Sequence, residues 1–412
     1  MRTLISNIGC LAGITADNNV RRGDSLRAMD MLHNAWLLIE DGFIADFSRH
    51  ETSIPPNADI TIDARNAYVL PSWCDSHTHL VFATSREEEF VDKIRGLSYA
   101  DIAAKGGGIL NSAGKLSLAS EEELVESATQ RLNEVALLGT GAIEIKSGYG
   151  LSVEGELKML RVIQRLKRES KLTIKSTFLG AHAFPPDYKN DHEGYISMLI
   201  DELLPVIANE QLADFIDVFC ETGFFSPEET ERVCLAGIRH GLKPKIHANQ
   251  LNLSGGVETG VKVGALSVDH LETMDQHAIN CLANSATIGT MLPTAAYFLR
   301  MNFQPARQLI DANCAIALAS DYNPGSSPSG NMNQVVSMAC IQLKMLPEEA
   351  INAATINGAC AMDVQEIVGS IAPGKKANLI ITKQIPSLAY LPYAFGSNLI
   401  DKVLLEGEIV LP

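Results

Sequence analysis

The chain has 412 residues, 46% of them hydrophobic and 20% charged, a composition typical of folded proteins and too apolar for intrinsic disorder. Its 33 basic and 49 acidic residues give a formal net charge of −16, which makes nucleic acid and anionic membrane surfaces poor partners. No apolar run reaches the roughly 18 residues of a membrane span, and residues 1–15 show no convincing cleavage site. Eight cysteines without a Cys-X-X-Cys pair are typical of free, mostly buried thiols, so we expect a cytoplasmic protein.

The predicted elements begin with short extended segments at residues 36–39 and 59–62, which Asp41-Gly42 and Pro55-Pro56 interrupt. Eight short β-branched or apolar segments follow between residues 65 and 325, and stretches with helical periodicity separate them. These segments are residues 67–74, 141–145, 172–179, 215–219, 245–248, 266–270, 286–292 and 315–319. Among the helical stretches, residues 120–137 begin with a capping pattern and residues 153–168 have one apolar face.

Eight strand–helix alternations within about 250 residues favour an α/β fold of the (β/α)8 TIM barrel type over a doubly wound sheet. Residues 377–381 and 402–405 resemble the short strands of the amino-terminal part. Neither end has enough strands to bury a face by itself. We therefore predict a smaller, discontinuous β-sandwich domain built from residues 1–64 and 366–412, beside a barrel over residues 65–365.

Polar residues cluster where the predicted barrel strands end, at the face that carries the active site in this fold. The first strand ends in the string Asp75-Ser76-His77-Thr78-His79. Four later strands run into His182, His247, Asp269-His270 and Ser320-Asp321.

His77 and His79 are two residues apart on an extended segment, so their side chains face the same way. An isolated His-X-His pair is more often two surface histidines than a metal site. A third imidazole at His247 and a carboxylate at Asp321, both after barrel strands, favour a metal site. Three imidazoles and one carboxylate suit zinc or iron better than magnesium or calcium.

With these residues the sequence resembles the amidohydrolase superfamily and, within it, the imidazolonepropionases. Five strings in order carry the resemblance, which covers essentially the whole chain: residues 75–80, 144–150, 178–182, 217–221 and 320–325. It implies one Zn or Fe ion per subunit, held by His77, His79, His247 and Asp321. It also implies a homodimer that acts on a small-molecule substrate.

The reaction that the resemblance implies is the third step of histidine degradation. Water would open the cyclic amide of 4-imidazolone-5-propanoate and give N-formimidoyl-L-glutamate. The residues implied to contact the substrate are Arg86, Tyr149, His182 and Gln250, and those implied to contact the ring-opened product are Asn323, Gly325 and Ser326.

Asp321 is the candidate for proton transfer from water to the departing ring nitrogen, because one carboxylate could reach both. His270 would orient the nucleophile or stabilise the developing oxyanion, or instead be a supporting histidine beside Asp269. Some members of the family carry Glu, with a part in activating water, where this chain has Gln250. We therefore assign Gln250 to hydrogen bonding.

Several alternatives stay open at this stage. Two-metal relatives commonly use a carbamylated lysine after the fourth strand, but Cys220-Glu221-Thr222 offers none there, so we expect one metal. Arg86 could pair with Glu87–Glu89 in solvent instead of binding a substrate carboxylate. The protein could be an aminohydrolase that deaminates a heterocycle, or a scaffold without a metal. Arg86 opposes the former, because a neutral base needs no cation, and the complete ligand set opposes the latter.

Overall fold

The computed structural model describes residues 1–97 and 107–411. Its larger part is a sheet of eight parallel strands in which each strand pairs with its neighbour in sequence, from β6 to β13. The strands are β6 Trp73–Thr78, β7 Thr140–Lys146, β8 Thr173–Ala181, β9 Phe215–Cys220, β10 Lys243–Ala248, β11 Ser267–His270, β12 Ile288–Met291 and β13 Ile316–Leu318. The predicted TIM barrel is confirmed.

The first and last barrel strands meet at their carboxyl ends, which nearly closes the barrel. The backbone N–H of Asp321 donates to the carbonyl of His77 at 3.0 Å, and that of His79 donates to the carbonyl of Tyr322 at 2.9 Å. The carboxylate of Asp75 accepts hydrogen bonds from the backbone N–H and the hydroxyl of Ser320, at 2.9 and 2.5 Å. Asp321 is thereby fixed beside the two histidines of β6.

Side chains alternate across the barrel strands. On β7, Ile143 and Ile145 belong to the apolar core between the strands and the helices, whereas Glu144 and Lys146 point inward and pair with each other at 2.5 Å. Successive residues of a strand face opposite sides of the sheet, which separates the two sets. The inside of the barrel is therefore charged, and the apolar core surrounds it.

The helices lie mostly between consecutive barrel strands and cover their outer faces. Ser120 accepts a hydrogen bond from the backbone N–H of Glu123, as its capping pattern predicts. The helices are α1 Glu87–Ile94, α2 Ile109–Leu118, α3 Glu121–Leu137, α4 Val153–Glu169, α5 His192–Ser197, α6 Leu204–Asn209, α7 Pro227–Arg239, α8 Gly256–Lys262, α9 Gln276–Ala283, α10 Pro293–Leu299, α11 Ala306–Asp311, α12 Met332–Ile341, α13 Pro347–Ala354, α14 Ile356–Ala361 and α15 Tyr390–Tyr393. Within the described ranges, we find no helix with the length and apolar character needed to cross a membrane.

Both termini contribute to a second, mixed sheet of eight strands. Its central strand β1 pairs with β2, β4 and β5, and β14 joins the carboxyl-terminal strands to β5. The strands are β1 Arg2–Ile14, β2 Asp30–Glu40, β3 Phe43–Arg49, β4 Ile60–Asp63, β5 Tyr68–Pro71, β14 Leu379–Thr382, β15 Ile400–Leu405 and β16 Glu408–Ile409.

Two details differ from the sequence prediction. The predicted first barrel strand over residues 67–74 is divided: β5 belongs to the terminal sheet, and the chain crosses to the barrel at Ser72, whose N–H donates to Asn378 while that of Trp73 donates to Gly139. The residues before and after Ser72 are both apolar. The sequence pattern therefore does not show that the chain leaves the terminal sheet and enters the barrel there. The sequence does not predict the long strand β1, because Asn7 interrupts the alternation of apolar residues. In the structure Asn7 has a φ of 52°, and the pairing of β1 with β2 shifts at this point.

Candidate metal centre and active site

Three histidine side chains and one aspartate converge at the carboxyl ends of the barrel strands. His77 and His79 lie on or directly after β6, His247 on β10, and Asp321 after β13. The Nε2 atoms of His79 and His247 are 3.4 Å apart. Oδ1 of Asp321 lies 3.5 Å from Nε2 of His77 and 3.6 Å from Nε2 of His79.

This donor set fits a metal ion. Tetrahedral ligands that bind at 2.0–2.1 Å are roughly 3.3 Å from one another, close to the observed separations. Nε2 of His77 is fully buried and has no hydrogen-bond partner among the residues that the structure describes, which is costly unless the atom binds a ligand. Burial holds the pKa of His77, His79 and His247 well below the ordinary value, so the rings are neutral, the form that binds metals.

Two buried carboxylates lie behind the histidine rings. Nδ1 of His77 donates to Oδ2 of Asp269 at 2.7 Å. Nδ1 of His247 lies 3.0 Å from Oδ2 of Asp217 without the geometry of a hydrogen bond, and Oδ1 of Asp217 accepts the backbone N–H of His247 at 3.1 Å. Ligand histidines commonly have such a carboxylate at the second ring nitrogen, which fixes the ring and its tautomer. Both nitrogens that face the centre are then free to act as ligands.

His270 stands beside this group and has its own carboxylate. Its Nδ1 lies 3.3 Å from Oε1 of Glu272, and both side chains are buried. His270, His77 and Asp321 also bring their ligand atoms within 4.8 Å of one another. Burial lowers the pKa of His270, but Glu272 and Asp321 outweigh it and raise the pKa above the ordinary value. Asp269, the expected neighbour of His270, supports His77 instead.

The backbone is strained where the side chains of the centre leave the barrel. His270 and Asp321 have φ of 89° and 55°, in the left-handed region that non-glycine residues rarely adopt. Such conformations persist only where the surroundings fix them, and they are common at active sites. At His270 and Asp321 this backbone conformation directs the side chain toward the centre.

The loop after β13 brings together the three residues expected to contact the product. Oδ1 of Asn323 accepts the backbone N–H groups of Gly325 and Ser326, both at 2.8 Å. The hydroxyl of Ser326 donates to Oδ2 of Asp321 at 2.9 Å. Burial raises the pKa of Asp321 to about 6, although His270 and Ser326 oppose this shift.

Arg86 lies at the edge of the centre, immediately before α1. Its Nε and Nη2 donate to Oε2 of Glu89 at 2.9 and 2.7 Å, so the expected pairing with a neighbouring glutamate is present. The side chain of Arg86 is only 12% exposed, however, and not an arginine in open solvent. Its Nη1 points to Gly325, where an added Cβ would lie 2.3 Å from it.

Tyr149 and His182 lie together beside His79. The ring of His182 stacks on that of His79 at a centroid distance of 5.3 Å, and Tyr149 lies 5.7 Å from His182. Nδ1 of His182 donates to the carbonyl of Gly148 at 3.1 Å, which leaves Nε2 as an acceptor. Burial lowers the pKa of His182 to about 4.

Gln250 and Glu221 follow β10 and β9. Gln250 is largely buried, and its backbone carbonyl accepts the hydroxyl of Thr273 at 3.5 Å. The carboxylate of Glu221 accepts the backbone N–H groups of Thr222, Leu251 and Asn252, at 2.8, 2.8 and 3.2 Å. Glu221 therefore shapes the loop after β10.

Sequence reasoning missed several charged residues that support the centre. They are Glu144, Asp217, Lys245 and Glu272, all buried. A signal existed for three of them: Glu144, Asp217 and Lys245 occupy inward-facing alternate positions of barrel strands, where a charge needs a buried partner. No sequence pattern predicts which carboxylate supports which histidine.

Comparisons with known proteins agree with this architecture. Residues 201–410 match the model of the amidohydrolase family. Among solved structures, a triazine hydrolase variant aligns with a TM-score of 0.74 at 16% identity, over 99% of this chain and 94% of the other. Guanine deaminase from E. coli aligns with a TM-score of 0.72 at 14% identity, over 99% of both chains. At these identities the likeness concerns the fold.

Relatives of similar length are much closer in sequence. Imidazolonepropionases from Flavobacterium johnsoniae and Christiangramia forsetii are 56% and 54% identical, and each alignment covers 100% of both chains. The enzyme of the same name from Clostridium tetani is 42% identical, over 94% of this chain and 93% of its own. The chain therefore belongs to the imidazolonepropionase family of the amidohydrolases, enzymes that hydrolyse a carbon–nitrogen bond of 4-imidazolone-5-propanoate.

Proposed function

We propose that this enzyme opens the imidazolone ring with one Zn or Fe ion held by His77, His79, His247 and Asp321. The observation that carries the proposal is the convergence of four buried ligand atoms at separations near those of a tetrahedral site. A zinc-bound structure among the proteins of this fold, an adenosine deaminase from Xanthomonas campestris, supports the choice of metal. Imidazole and carboxylate ligands suit iron equally well.

An ion held by His77, His79, His247 and Asp321 would supply a nucleophile at neutral pH, because a bound divalent cation lowers the pKa of water toward about 7. Asp321 accepts the proton of the attacking water, whose oxygen bonds to the ring carbonyl carbon. The carbon–nitrogen bond then breaks, and Asp321 delivers the proton to the departing nitrogen. His270, which Glu272 holds at 3.3 Å, stabilises the charge that develops on the carbonyl oxygen.

The substrate binds beside the ligand set, among the side chains that the resemblance implies. Arg86 receives the propanoate, because a guanidinium binds a carboxylate through parallel hydrogen bonds. Tyr149, His182 and Gln250 hydrogen-bond the ring. The loop of Asn323, Gly325 and Ser326 contacts the ring-opened product, and its hydrogen bond to Asp321 links product binding to the proton-transfer carboxylate.

We also propose a single ion per subunit, a homodimer, and action in the cytoplasm. Within the described ranges, the second group of possible ligands is His77, His270 and Asp321, and two of its three members already belong to the proposed ligand set, which favours one ion over two. All eight cysteines are free, which suits a reducing compartment. We also propose that the terminal sheet and the barrel are separate domains, with the first boundary moved from residue 64 to Ser72, because β5 pairs within the terminal sheet.

The test is ring opening of freshly generated 4-imidazolone-5-propanoate, followed by the loss of its ultraviolet absorbance. We expect turnover by the wild type, and its loss after treatment with a chelator and in Asp321→Ala. Asp187→Ala, at an exposed aspartate, is the control and should keep wild-type activity. Absence of turnover by metal-loaded wild type would contradict the assignment, and release of ammonia from heterocyclic amines would then indicate an aminohydrolase.

A further inference from the structure

Five charged side chains fill the inside of the barrel beneath the histidine cluster. All are at most 1% exposed: Glu144, Lys146, Asp217, Lys245 and Asp269. Buried charges are costly unless they are paired and hydrogen-bonded. A buried network of charges is therefore expected to have a function. The different contacts of its two lysines, Lys146 and Lys245, indicate what that function is.

Lys146 lies between the two carboxylates that support histidines of the metal centre. Its Nζ is 2.8 Å from Oδ2 of Asp217 and 3.6 Å from Oδ2 of Asp269. The same Asp217 oxygen lies 3.0 Å from Nδ1 of His247, and the other oxygen of Asp217 accepts the backbone N–H of His247 at 3.1 Å. Oδ2 of Asp269 accepts Nδ1 of His77 at 2.7 Å. Lys146 thus hydrogen-bonds the carboxylate that holds His247 and places its charge near the carboxylate that holds His77.

Lys245 is equally buried but makes its hydrogen bonds elsewhere. Its Nζ pairs with Glu144 and donates to the backbone carbonyls of Ser76 at 2.9 Å and Ala361 at 3.3 Å. Its Nζ lies 3.8 Å from Oδ2 of Asp269, close to the 3.6 Å of Lys146, and neither distance is a hydrogen bond. The two lysines therefore differ at Asp217, which Lys146 hydrogen-bonds. Lys245 therefore neutralises Glu144 and satisfies backbone groups.

We propose that Lys146 is a positioning residue for the metal centre, which holds Asp217 so that His247 keeps its ligand geometry. Without the ammonium, Asp217 loses its hydrogen-bonded cation and can move, and His247, whose backbone N–H it accepts, can then shift away from the centre. The metal would then leave faster. This inference rests on the ligand set proposed above.

The test is the rate at which zinc-loaded protein transfers Zn²⁺ to an excess of a chromogenic chelator. We expect Lys146→Met to release zinc about tenfold faster than the wild type, the lower end of the effect of losing a residue that orients a ligand. Lys245→Met is the matched control, with the same substitution at the same burial, and should release zinc close to the wild-type rate. Equal rates for Lys146→Met and the wild type, or equal acceleration in both variants, would overturn the proposal.

A second pair of variants covers the case in which Lys146→Met does not fold. The double variant Glu144→Gln/Lys146→Met removes one negative and one positive charge, so the net charge inside the barrel is unchanged. The single variant Glu144→Gln is its reference. The double variant should release zinc about tenfold faster than the single variant, and equal rates would overturn the proposal. A wild type that binds no zinc would contradict the proposed ligand set itself. A wild type and variants that all bind and release zinc alike would contradict only the role of Lys146.

Discussion

Gly325 lies where any side chain would meet the guanidinium of Arg86. An added Cβ would be 2.3 Å from Nη1 of Arg86, which is the far end of a flexible side chain and can move. The backbone at Gly325 needs no positive φ, so a substitution there should be tolerated by the fold. Its effect should fall on the position of Arg86.

We predict that Gly325→Ala raises KM by about tenfold, equivalent to ~1.4 kcal/mol of binding free energy, with a much smaller change in kcat. The measurement is steady-state kinetics together with the melting temperature. Gly114→Ala is the control, because a Cβ there meets nothing within 4 Å, and it should leave KM unchanged. A loss of kcat without a rise in KM would contradict the placement of Arg86 at the propanoate.

Glu272 is the only partner that the structure gives to Nδ1 of His270 within the described residues, at 3.3 Å. We predict that Glu272→Ala lowers kcat by at least about tenfold, because the imidazole loses the group that sets its orientation and tautomer. Glu272→Gln keeps an acceptor and should retain more of the activity. Equal kcat for the wild type and Glu272→Ala would show that the orientation of His270 does not limit the reaction.

At the scale of elements, α4 organises the loop that carries Tyr149. Glu156, on the first turns of this helix, accepts the backbone N–H groups of Gly148, Gly150 and Leu151 at 3.1, 2.8 and 3.0 Å. An amide at this position would bring its NH₂ group against N–H donors. The loop after β7 thus depends on a carboxylate from the helix that follows it.

We predict that Glu156→Gln lowers the free energy of unfolding by about 1–3 kcal/mol, the cost of unsatisfied buried donors, and raises KM because Tyr149 shifts. Denaturant unfolding and kinetics measure the two effects. Glu154→Gln, at an exposed position of the same helix, is the reference and should change neither quantity. Normal stability of Glu156→Gln would mean that the loop does not depend on this carboxylate.

The elements also show how far sequence reasoning reaches. The barrel strands were predictable because β-branched segments alternate with amphipathic helices, and the cluster of His77, His79, His247 and Asp321 followed from the rule that strand ends meet at one face. The division at Ser72 depends on which strands pair, and the partner of His270 depends on a loop conformation. Both are tertiary properties that no local pattern contains.

For the whole molecule, the burial of neutral histidines makes stability depend on pH. The pKa of His182 is lowered to about 4, mainly by burial, whereas an unfolded histidine has an ordinary pKa near 6.5. Below about pH 6.5 the unfolded chain therefore binds a proton that the folded protein does not. The contribution of neutral His182 to the free energy of unfolding is therefore full above about pH 6.5, and it is lost as the pH falls toward about 4.

We predict that His182→Asn reduces the loss of stability between pH 6.5 and 5 by up to ~1.4 kcal/mol per pH unit. Urea unfolding at several pH values measures it, and His50→Asn, at an exposed position, should retain the wild-type pH dependence. An identical slope in His182→Asn and the wild type would contradict a strongly lowered pKa.

The shared sheet of the two termini has a consequence for how the protein is made. Strand β5 leaves the ribosome long before β14, which covers its edge through Val69, Leu70 and Pro71. Until then, the backbone groups on that edge can pair with another chain, which favours aggregation. A nascent chain that is interrupted before Leu379 would carry a barrel attached to a sheet in which the edge of β5 is unpaired. Synthesis must therefore continue through the last strands before this edge is covered and self-association through it is prevented.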